Sequence, residues 1–258
     1  MRFTLITPTF NSALTVRDTL ESIQMQEYPH IEHIIIDGVS RDNTLEIVAE
    51  YPRVSKIVSE PDRGLYDAMN KGIRLASGDV VGIINSDDFY TNPQVIGKVA
   101  ERLIETGADA LYADLEYVGA GNTGRVVRTW KAGQFAPGYF YRGWMPPHPT
   151  FFVRRELYER YGMFNPDFRF SADYELMLRF LLKHGISACY LPEVIVRMRA
   201  GGASNASLRN RLQANREDRL AWKTNGLRPH FFTLYLKPAS KIGQYLNRRK
   251  KAERGANP

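Results

Sequence analysis

Two kinds of apolar pattern alternate along the first 113 residues of this chain. Short runs rich in β-branched residues predict strands, and segments whose apolar residues recur every three or four positions predict amphipathic helices. The predicted strands are residues 3–7, 33–37, 56–58, 79–84 and 110–112. A first helix, capped by Asn11 or Ser12, has its apolar stripe at Val16, Leu20 and Ile23, and further helices are predicted at 44–51, 65–76 and 93–105. Strands separated by helices of this length predict right-handed crossovers and a Rossmann-like α/β fold, a mostly parallel sheet with helices on both faces.

The pattern changes beyond residue 113. Residues 116–118 and 125–130 flank a glycine-rich segment, which predicts an antiparallel hairpin. A loop rich in glycine, proline and aromatic residues follows at 133–149, then helices at 154–161 and 172–184, and short strands near 188–191 and 194–198. We therefore expect one domain over residues 1–198, made of a first part (1–113) and a smaller, antiparallel second part (114–198), followed by a partly helical extension at 199–258.

Charge is distributed unevenly, although the formal net charge is only +7. Residues 1–196 carry 20 Lys and Arg against 25 Asp and Glu, whereas residues 197–258 carry 15 against 3. A basic appendage on an acidic body suits an anionic partner, either nucleic acid or an anionic membrane surface, where each basic residue contributes ~1 kcal/mol. The aromatic and basic residues of 231–251 fit a segment lying on a bilayer and equally fit a solvated terminus.

Other features of the composition narrow the cellular setting. Cys189 is the only cysteine, so an intramolecular disulfide is excluded and a reducing compartment is expected. No apolar run approaches the ~20 residues that cross a bilayer. The first residues enter a predicted strand without the apolar stretch of a signal peptide. We therefore expect a soluble or peripheral protein in the cytoplasm.

Paired carboxylates, Asp87 and Asp88, follow the apolar run 80–84, with only Asn85 and Ser86 between. Like charges at this spacing repel, and a proton or a cation relieves them. A divalent cation such as Mg²⁺ or Mn²⁺, held by one or two carboxylates and by substrate phosphates, fits the pattern. The alternative is helix capping before the helix near Pro93.

Four polar loops follow predicted strands, at residues 7–11, 37–44, 60–64 and 85–88. Each alone is explained by turn chemistry. In an open α/β sheet, however, ligands bind outside the carboxyl ends of the strands, so the four loops together predict one site. Pro8 has no N–H, and no glycine-rich phosphate loop follows the first strand, which argues against a dinucleotide dehydrogenase and for a metal-bound nucleoside diphosphate.

With these motifs in place, the chain resembles the family 2 glycosyltransferases, which have the GT-A fold. The matching segments are residues 7–11, 37–44, 85–88 and 172–179, and the resemblance runs from about residue 3 to residue 198. The segment 60–73 is similar to the colanic-acid and exopolysaccharide branch of the family. The resemblance makes residues 1–113 the donor half and residues 114–198 the acceptor half.

The resemblance also implies roles for individual residues. Asp173 corresponds to the general base that activates the acceptor hydroxyl, and Asp87 to the metal ligand, with Asp88 beside it. The implied donor-binding residues are Pro8, Phe10, Asn11, Asp37 (accepting a hydrogen bond from the base), Asp62, Arg63, Asn85 and His148. Two positions depart from the family pattern, because Asn85 stands where an Asp is frequent and Ala172 where a Glu often precedes the base.

The implied activity is the inverting, metal-dependent transfer of a sugar from a nucleotide-diphosphate donor to a hydroxyl group of a lipid-linked saccharide. Such a reaction belongs to bacterial surface polysaccharide synthesis. A location on the cytoplasmic face of the inner membrane would follow from such an acceptor. One alternative is a nucleotidyltransferase acting on sugar phosphates, although only Arg17 supplies positive charge near the first strand. A second is a protein that binds anionic surfaces or nucleic acid through its tail, and the acidic body disfavours nucleic acid.

Several residues have two interpretations at this level. His148 is either a substrate contact or a loop histidine bonded to backbone, and Asp114 either ends a strand or touches the donor sugar. Asp67 and Lys71, four residues apart on one helix, favour a surface ion pair. Packing is favoured over sugar stacking for the aromatic residues Tyr66, Tyr139, Tyr141 and Trp144.

Overall fold

The structure, a computed structural model, describes residues 1–201 and 207–234. Its strands are β1 (Phe3–Thr9), β2 (Ile31–Asp37), β3 (Val54–Ser59), β4 (Val80–Ile83), β5 (Asp88–Tyr90), β6 (Ala110–Gly119), β7 (Asn122–Trp130), β8 (Phe152–Arg154) and β9 (Ala188–Arg199). Its α-helices are α1 (Val16–Gln24), α2 (Thr44–Ala49), α3 (Leu65–Leu75), α4 (Val95–Thr106), α5 (Arg155–Tyr161), α6 (Ala172–Met177) and α7 (Leu208–Thr224). Two 3₁₀ turns cover Pro137–Arg142 and His148–Thr150, and α6 continues as a π-helix over Leu178–Lys183.

The strands form one sheet in the order β3-β2-β1-β4-β8-β6-β9-β5, with β7 paired to β6. Strands β1 to β4 are parallel, β8 runs antiparallel between β4 and β6, and β6 and β9 are parallel. The predicted GT-A-like α/β fold is thereby confirmed, and so is the hairpin, which is formed by β6 and β7. The carboxyl ends of β1, β2 and β4 meet at one edge, as the parallel order requires.

Helices cover both faces of the sheet because successive side chains on a strand point to opposite sides. Leu5 and Ile6 are both fully buried but belong to different clusters. Leu5 shares its cluster with Val95 and Val99 of α4, whereas Ile6 shares its cluster with Met69 of α3 and with apolar residues of the second part, 114–198. Full burial of such a side chain contributes about 1.5–3 kcal/mol.

The start of α1 differs from the prediction. The stripe Val16, Leu20 and Ile23 is buried as expected, but the helix begins at Val16 after a turn in which the Ser12 carbonyl accepts the Val16 N–H (2.9 Å). The prediction that Asn11 or Ser12 caps the helix was therefore wrong. The side chains of Asn11 and Ser12 instead bond neighbouring loops, Asn11 Oδ1 by accepting the Arg41 N–H and the Ser12 hydroxyl by pairing with that of Ser86.

The strands near the carboxylate pair were only partly predicted. The two short strands expected at 188–191 and 194–198 are one strand, β9, whose register shifts opposite Ala113 and Asp114. Pro192 lies at that shift, because proline has no N–H for the ladder. The unpredicted strand β5 pairs antiparallel with β9, and it starts at Asp88.

Helix α7 lies beyond the expected domain boundary at residue 198 and packs on α6. Trp222 is 0% exposed, and its Nε1 donates to the Tyr174 hydroxyl of α6 (2.9 Å). The boundary itself stays a prediction. The basic and aromatic residues expected at 235–251 lie outside the described residues. Within the described ranges, no helix has the length and apolar content of a membrane span.

Candidate active site

The first carboxylate at the carboxyl edge of the sheet is Asp37, the last residue of β2. It is 0% exposed, and its two oxygens accept hydrogen bonds from the Thr9 hydroxyl (3.0 Å), the Ser40 hydroxyl (2.5 Å) and N–H (2.9 Å), and the Ser59 hydroxyl (2.7 Å). Burial alone would raise the pKa of Asp37, but these hydrogen bonds outweigh burial and hold the pKa below its usual range.

The hydrogen bonds of Asp37 in this structure are all made within the protein. Both oxygens are already bonded to protein donors from β1, β3 and the loop after β2, and the side chain is closed to solvent. Asp37 therefore ties together the ends of three strands, and its expected hydrogen bond with the nucleotide base stays a prediction. The sequence could not reveal the bonds within the protein because the partners Thr9 and Ser59 come from distant segments.

The loops after β1 and β2 are tied to each other by Asn11. This residue has a positive φ of 49°, its N–H donates to the Ser40 hydroxyl (2.8 Å), and its Oδ1 accepts the Arg41 N–H (2.8 Å). Left-handed backbone is tolerated by Asn more readily than by most residues. Asn11 thus stabilises the loops around the predicted nucleotide site.

Phe10 and Asp62 both approach the backbone at Gly38, in the loop after β2. Phe10 is 64% exposed, and a Cβ on Gly38 would lie 3.4 Å from its ring and 2.5 Å from Asp62 Oδ2. Glycine at this position therefore lets Phe10 and Asp62 approach the same stretch of backbone. Pro8, by contrast, is buried within β1. The Arg63 side chain is 79% exposed and lies 3.8 Å from Asp67.

The turn after β4 contains the predicted metal ligands. Asp88 is 0% exposed, and its Oδ2 accepts a hydrogen bond from Asn85 Nδ2 (3.0 Å). Asp88 Oδ1 and Asn85 Oδ1 are buried without a hydrogen-bond partner among the described residues. Burial and the charge of Asp87 raise the pKa of Asp88 well above its usual range, and burial also raises the pKa of Asp87.

Arg199, at the end of β9, supports this turn and was missed by sequence reasoning. Its Nη1 donates to the Asp87 carbonyl (2.7 Å), its Nη2 pairs with Asp18 of α1, and the residue is almost fully buried. The resemblance stops at residue 198, one position earlier. The signal in the sequence, a basic residue at the end of a strand, is not specific enough to identify it.

These residues fit a divalent cation. Two adjacent carboxyl groups with raised pKa values and two buried oxygens without donors are an oxygen-rich, negatively charged set, which is the chemistry that Mg²⁺ and Mn²⁺ prefer. In the described parts of the chain no group of three or more His, Cys, Asp or Glu side chains forms a complete metal site. Substrate phosphates would have to supply the remaining ligands.

A second cluster surrounds Asp173 in the first turn of α6. Asp173 is half-buried, and the Tyr66 hydroxyl of α3 donates to its Oδ1 (3.2 Å). The Tyr66 ring stacks on Phe164 (5.6 Å between centroids), and His148 meets Phe164 edge-on (5.5 Å). Burial lowers the pKa of His148, and the charge of Asp173 partly opposes that shift. Asp173 and His148, which come from separate predictions, thus lie in one cluster.

Other residues with two interpretations have structural partners. Asp114 Oδ1 accepts hydrogen bonds from the Ala132 N–H (2.8 Å) and the Tyr190 hydroxyl (2.6 Å). Asp67 and Lys71 form the predicted ion pair at 4.0 Å. The Trp144 indole donates to the Ala132 carbonyl (2.6 Å) and stacks on Phe135.

Known sequences support the motif resemblance. The sequence model of glycosyl transferase family 2 matches residues 4–170. The uncharacterized glycosyltransferase MT1564 of Mycobacterium tuberculosis is 33% identical over 178 residues, which are 68% of this chain and 67% of that protein. The PGL/p-HBAD biosynthesis glycosyltransferase of Mycobacterium bovis is 28% identical over 216 residues, 79% of each chain.

Solved structures show the same fold at lower identity. S. aureus TarS 1-349 in complex with UDP-GlcNAc has a TM-score of 0.65 at 19% identity, over 87% of this chain and 65% of that one. This chain spans 39% of a longer TarS chain. The mannosyltransferase PcManGT from Pyrobaculum calidifontis, in complex with GDP-Man and Mn²⁺, has a TM-score of 0.63 at 20% identity, over 100% and 76%. With the family match over most of the chain and a 33%-identical relative, the protein belongs to glycosyl transferase family 2.

Proposed function

We propose that this protein is an inverting, metal-dependent glycosyltransferase that moves one sugar from a nucleotide-diphosphate donor to a hydroxyl group of a saccharide acceptor. The observation that carries the proposal is the turn Asn85–Asp88, in which the fully buried Asp88 lies beside Asp87. Asp88 Oδ1 and Asn85 Oδ1 have no hydrogen-bond donor among the described residues. Membership of the family supports the transferase class.

Asp87 is the proposed metal ligand, supported by Asp88 and by the Asn85 side chain. A bound Mg²⁺ or Mn²⁺ ion supplies a Lewis acid that neutralises charge developing on the departing diphosphate. The complex of PcManGT with GDP-Man and Mn²⁺ supports a divalent ion in this fold. Arg199 holds the Asp87 carbonyl, so the backbone of the turn keeps its position.

Asp173 is the proposed general base. A sugar hydroxyl is a poor nucleophile near neutral pH, and a carboxylate within ~3 Å can take its proton as the new bond forms. The hydrogen bond from Tyr66 orients the Asp173 carboxylate and leaves its other oxygen for the acceptor. Direct attack on the side opposite the diphosphate inverts the anomeric centre, and no covalent intermediate is required.

The proposed nucleotide site is the surface formed by Phe10, Gly38 and Asp62, with Asn11 shaping the loops and the exposed Arg63 beside it. The exposed ring of Phe10 offers a face for a planar base. Complexes of related folds with UDP-GlcNAc and with GDP-Man support a nucleotide sugar without selecting the base.

The proposed acceptor is a lipid-linked saccharide of bacterial surface polysaccharide synthesis. A relative named for PGL/p-HBAD biosynthesis supports a surface glycan, as does a 34%-identical segment of 90 residues in a putative teichuronic acid biosynthesis glycosyltransferase of Bacillus subtilis. The colanic-acid branch stays a prediction from segment 60–73.

An anionic membrane surface is the proposed docking partner of α7, from the cytoplasmic side. Both acidic residues of this helix, Glu217 and Asp218, are buried against the protein. Its basic residues are all exposed, namely Arg209, Arg211, Arg216, Arg219 and Lys223. A solvent face of one sign of charge favours anionic lipids over a neutral surface.

Turnover of a panel of UDP-, GDP- and dTDP-sugars with Mn²⁺ and with a chelator tests the enzymatic proposal. We expect one donor to be consumed only with metal, and the Asp173→Asn variant to lose about 10²–10⁴ in kcat while still binding the nucleotide. If no nucleotide sugar is bound or consumed under any condition, the proposal fails. Formation of a nucleotide sugar from a nucleoside triphosphate would instead favour the nucleotidyltransferase.

Sedimentation with vesicles of phosphatidylglycerol and phosphatidylcholine tests the docking proposal. We expect salt-sensitive binding to the anionic vesicles, lost when Arg216, Arg219 and Lys223 are all changed to Glu. The matched control changes Lys56, Arg74 and Arg125, exposed residues elsewhere, to Glu. Equal loss in both triple variants, or stronger binding to duplex DNA than to the vesicles, would contradict the proposal.

A further inference from the structure

Helix α7 meets α6 through buried polar groups rather than through an apolar stripe alone. Glu217 and Asn225 are both buried on its inner face, beside Ala221 and Trp222. Burying a carboxylate is costly unless it is hydrogen-bonded, so the partners of Glu217 indicate what this burial serves.

The partners of Glu217 are backbone groups at the start of α6. Its Oε2 accepts the N–H of Phe170 (2.7 Å) and the N–H of Ser171 (3.0 Å), while Gln213 Nε2 donates to its Oε1 (3.1 Å). Ser171 is the N-cap of α6, but its hydroxyl donates to the Ala214 carbonyl of α7 (3.3 Å), and no cap bond from its side chain to its own helix is present. A residue of another helix therefore takes over part of the role of the N-cap.

The rest of the first turn of α6 is held by the same helix. The Tyr174 hydroxyl accepts the Trp222 indole N–H (2.9 Å), and Asn225 Nδ2 donates to the Glu175 carbonyl (3.2 Å) and to Glu175 Oε1 (3.1 Å). Asp173 lies between these anchored residues and is directed instead to Tyr66 of α3.

We propose that Glu217 is a positioning residue for catalysis: by binding the Phe170 and Ser171 amides, it sets the start of α6 and thereby the place of the Asp173 carboxylate. This inference rests on the proposed role of Asp173 as the base. Glu217 lies beyond residues 4–170, where the family model matches, and beyond residue 198, where the motif resemblance ends. Neither comparison could therefore have identified it.

Electrostatics are consistent with this arrangement. Burial, followed by the charges of Asp173 and more weakly Glu217, raises the pKa of the Tyr66 hydroxyl well above its usual range. Tyr66 thus stays protonated and remains a donor to Asp173. The negative charge of Glu217 also lies at the amino end of α6, where a helix favours an anion.

The test compares Glu217→Ala, Glu217→Gln and the control Asp218→Asn, which alters the neighbouring buried carboxylate on the same helix. For whichever sugar of the UDP, GDP and dTDP panel the wild type consumes, we expect Glu217→Ala to lower kcat by about 10–10²-fold, since a small displacement of a catalytic group has effects of this size. The Kd for the nucleoside diphosphate should stay within about twofold. Glu217→Gln, which keeps an acceptor oxygen at the same reach, should recover most of kcat.

Unchanged kcat in Glu217→Ala would overturn the inference, as would a parallel loss of kcat and nucleotide binding or an equal loss of kcat in Asp218→Asn. Where Glu217→Ala does not fold, Glu217→Gln and Glu217→Asp decide. The shorter Asp should have the lower kcat at equal nucleotide binding, and equal kcat values would overturn the inference.

Hydrogen exchange separates this inference from the proposed function. The Phe170 and Ser171 amides should exchange faster in Glu217→Ala than in wild type or Asp218→Asn, whether or not the protein consumes a nucleotide sugar. Absence of turnover together with this difference would remove the proposed function and leave the contact intact. Unchanged exchange would remove the contact itself.

Discussion

Asp37 and Asp88 are both completely buried and both follow parallel strands at the same edge of the sheet, yet their surroundings are opposite. Asp37 accepts hydrogen bonds from Thr9, Ser40 and Ser59, and its pKa is held below the usual range. Asp88 accepts one from Asn85, lies beside Asp87, and has a pKa well above the usual range.

The difference separates a structural carboxylate from a candidate ligand. A carboxylate whose oxygens are filled by protein donors stabilises the fold as an anion. A buried carboxyl group without enough donors destabilises its own charged form and favours a proton or a cation. Position at the carboxyl edge is shared by both residues, so the number of donors decides the role.

The largest expected effect comes from replacing the proposed metal ligand, Asp87. Asp87→Ala should lower turnover by about 10²-fold or more, because Lewis-acid stabilisation of a leaving group is worth several kcal/mol. It should also remove the metal-dependent part of nucleotide binding, measured by calorimetry with Mn²⁺ and with a chelator. The control is Asp167→Ala, an exposed carboxylate of the acceptor half. Wild-type turnover and binding in Asp167→Ala and in Asp87→Ala alike would refute the assignment.

Replacing the carboxylate that is bonded to protein donors, as in Asp37→Asn, should destabilise the protein. The amide can accept on one side only, so the donors on the other side lose their partner, at a cost of about 2–4 kcal/mol. Urea denaturation at pH 7 measures the change. A loss below about 1 kcal/mol would mean that the hydrogen bonds of Asp37 are not what holds the three strand ends together.

In the absence of metal, Asp88→Asn should stabilise the protein, which is the opposite of the effect of Asp37→Asn. The amide keeps the bond from Asn85 and removes the repulsion with Asp87, so the free energy of unfolding in a chelator should rise by about 1 kcal/mol or more. The stabilisation that Mn²⁺ adds to wild type should shrink in the same variant. If Asp88→Asn is less stable than the wild type in the chelator, the prediction that Asp88 lacks sufficient hydrogen-bond donors is wrong.

Acid pH tests a third buried group, His33, on the same strand as Asp37. Burial, with the charge of Arg53, lowers the pKa of His33 to about 3, and its Nε2 lies 3.0 Å from the Thr7 hydroxyl. As the pH falls, the unfolded chain therefore binds a proton at His33 before the folded protein does. The contribution of His33 to the free energy of unfolding is complete above pH ~6.5 and falls by up to about 1.4 kcal/mol per pH unit below it. Asp37, with a lowered pKa, contributes a loss only below pH ~4.

Urea denaturation at pH 7 and pH 5.5 checks this order. Between pH 7 and pH 5.5 the wild type should lose about 1.3 kcal/mol more than His33→Gln. The raised pKa of Asp88, which has the opposite effect on stability, is common to both proteins. An identical pH dependence in the two proteins would assign the loss to other groups.

Prediction from sequence succeeded where the information was local. The alternation of β1 to β4 with helices, the hairpin of β6 and β7, and the buried stripe of α1 follow from the periodicity of neighbouring residues. The clustering of loops at one edge followed from parallel strand order alone. The start of α1 was wrong because Ser12 bonds Thr44 and Ser86 of other loops instead of capping its own helix.

The candidate site was predicted by residue type but not by role. The hydrogen bonds of Asp37 were not predicted, because its partners Thr9 and Ser59 are 28 and 22 residues away. Arg199 and Glu217 carried no motif, since each acts through a contact with a segment that is distant in the sequence: Asp87 is 112 residues from Arg199, and Ser171 is 46 from Glu217.

The sequence by itself therefore determined the class of sheet, the edge at which ligands would bind, and the carboxylates available there, because periodicity and chain order are local properties. The tertiary structure decided which carboxylate is satisfied and which is not. Pairing of β5 with β9 buried Asp88 away from donors, and packing of α7 brought Glu217 to the start of α6. Hydrogen-bond partners and burial depend on segments meeting in space, and no short pattern along a chain records them.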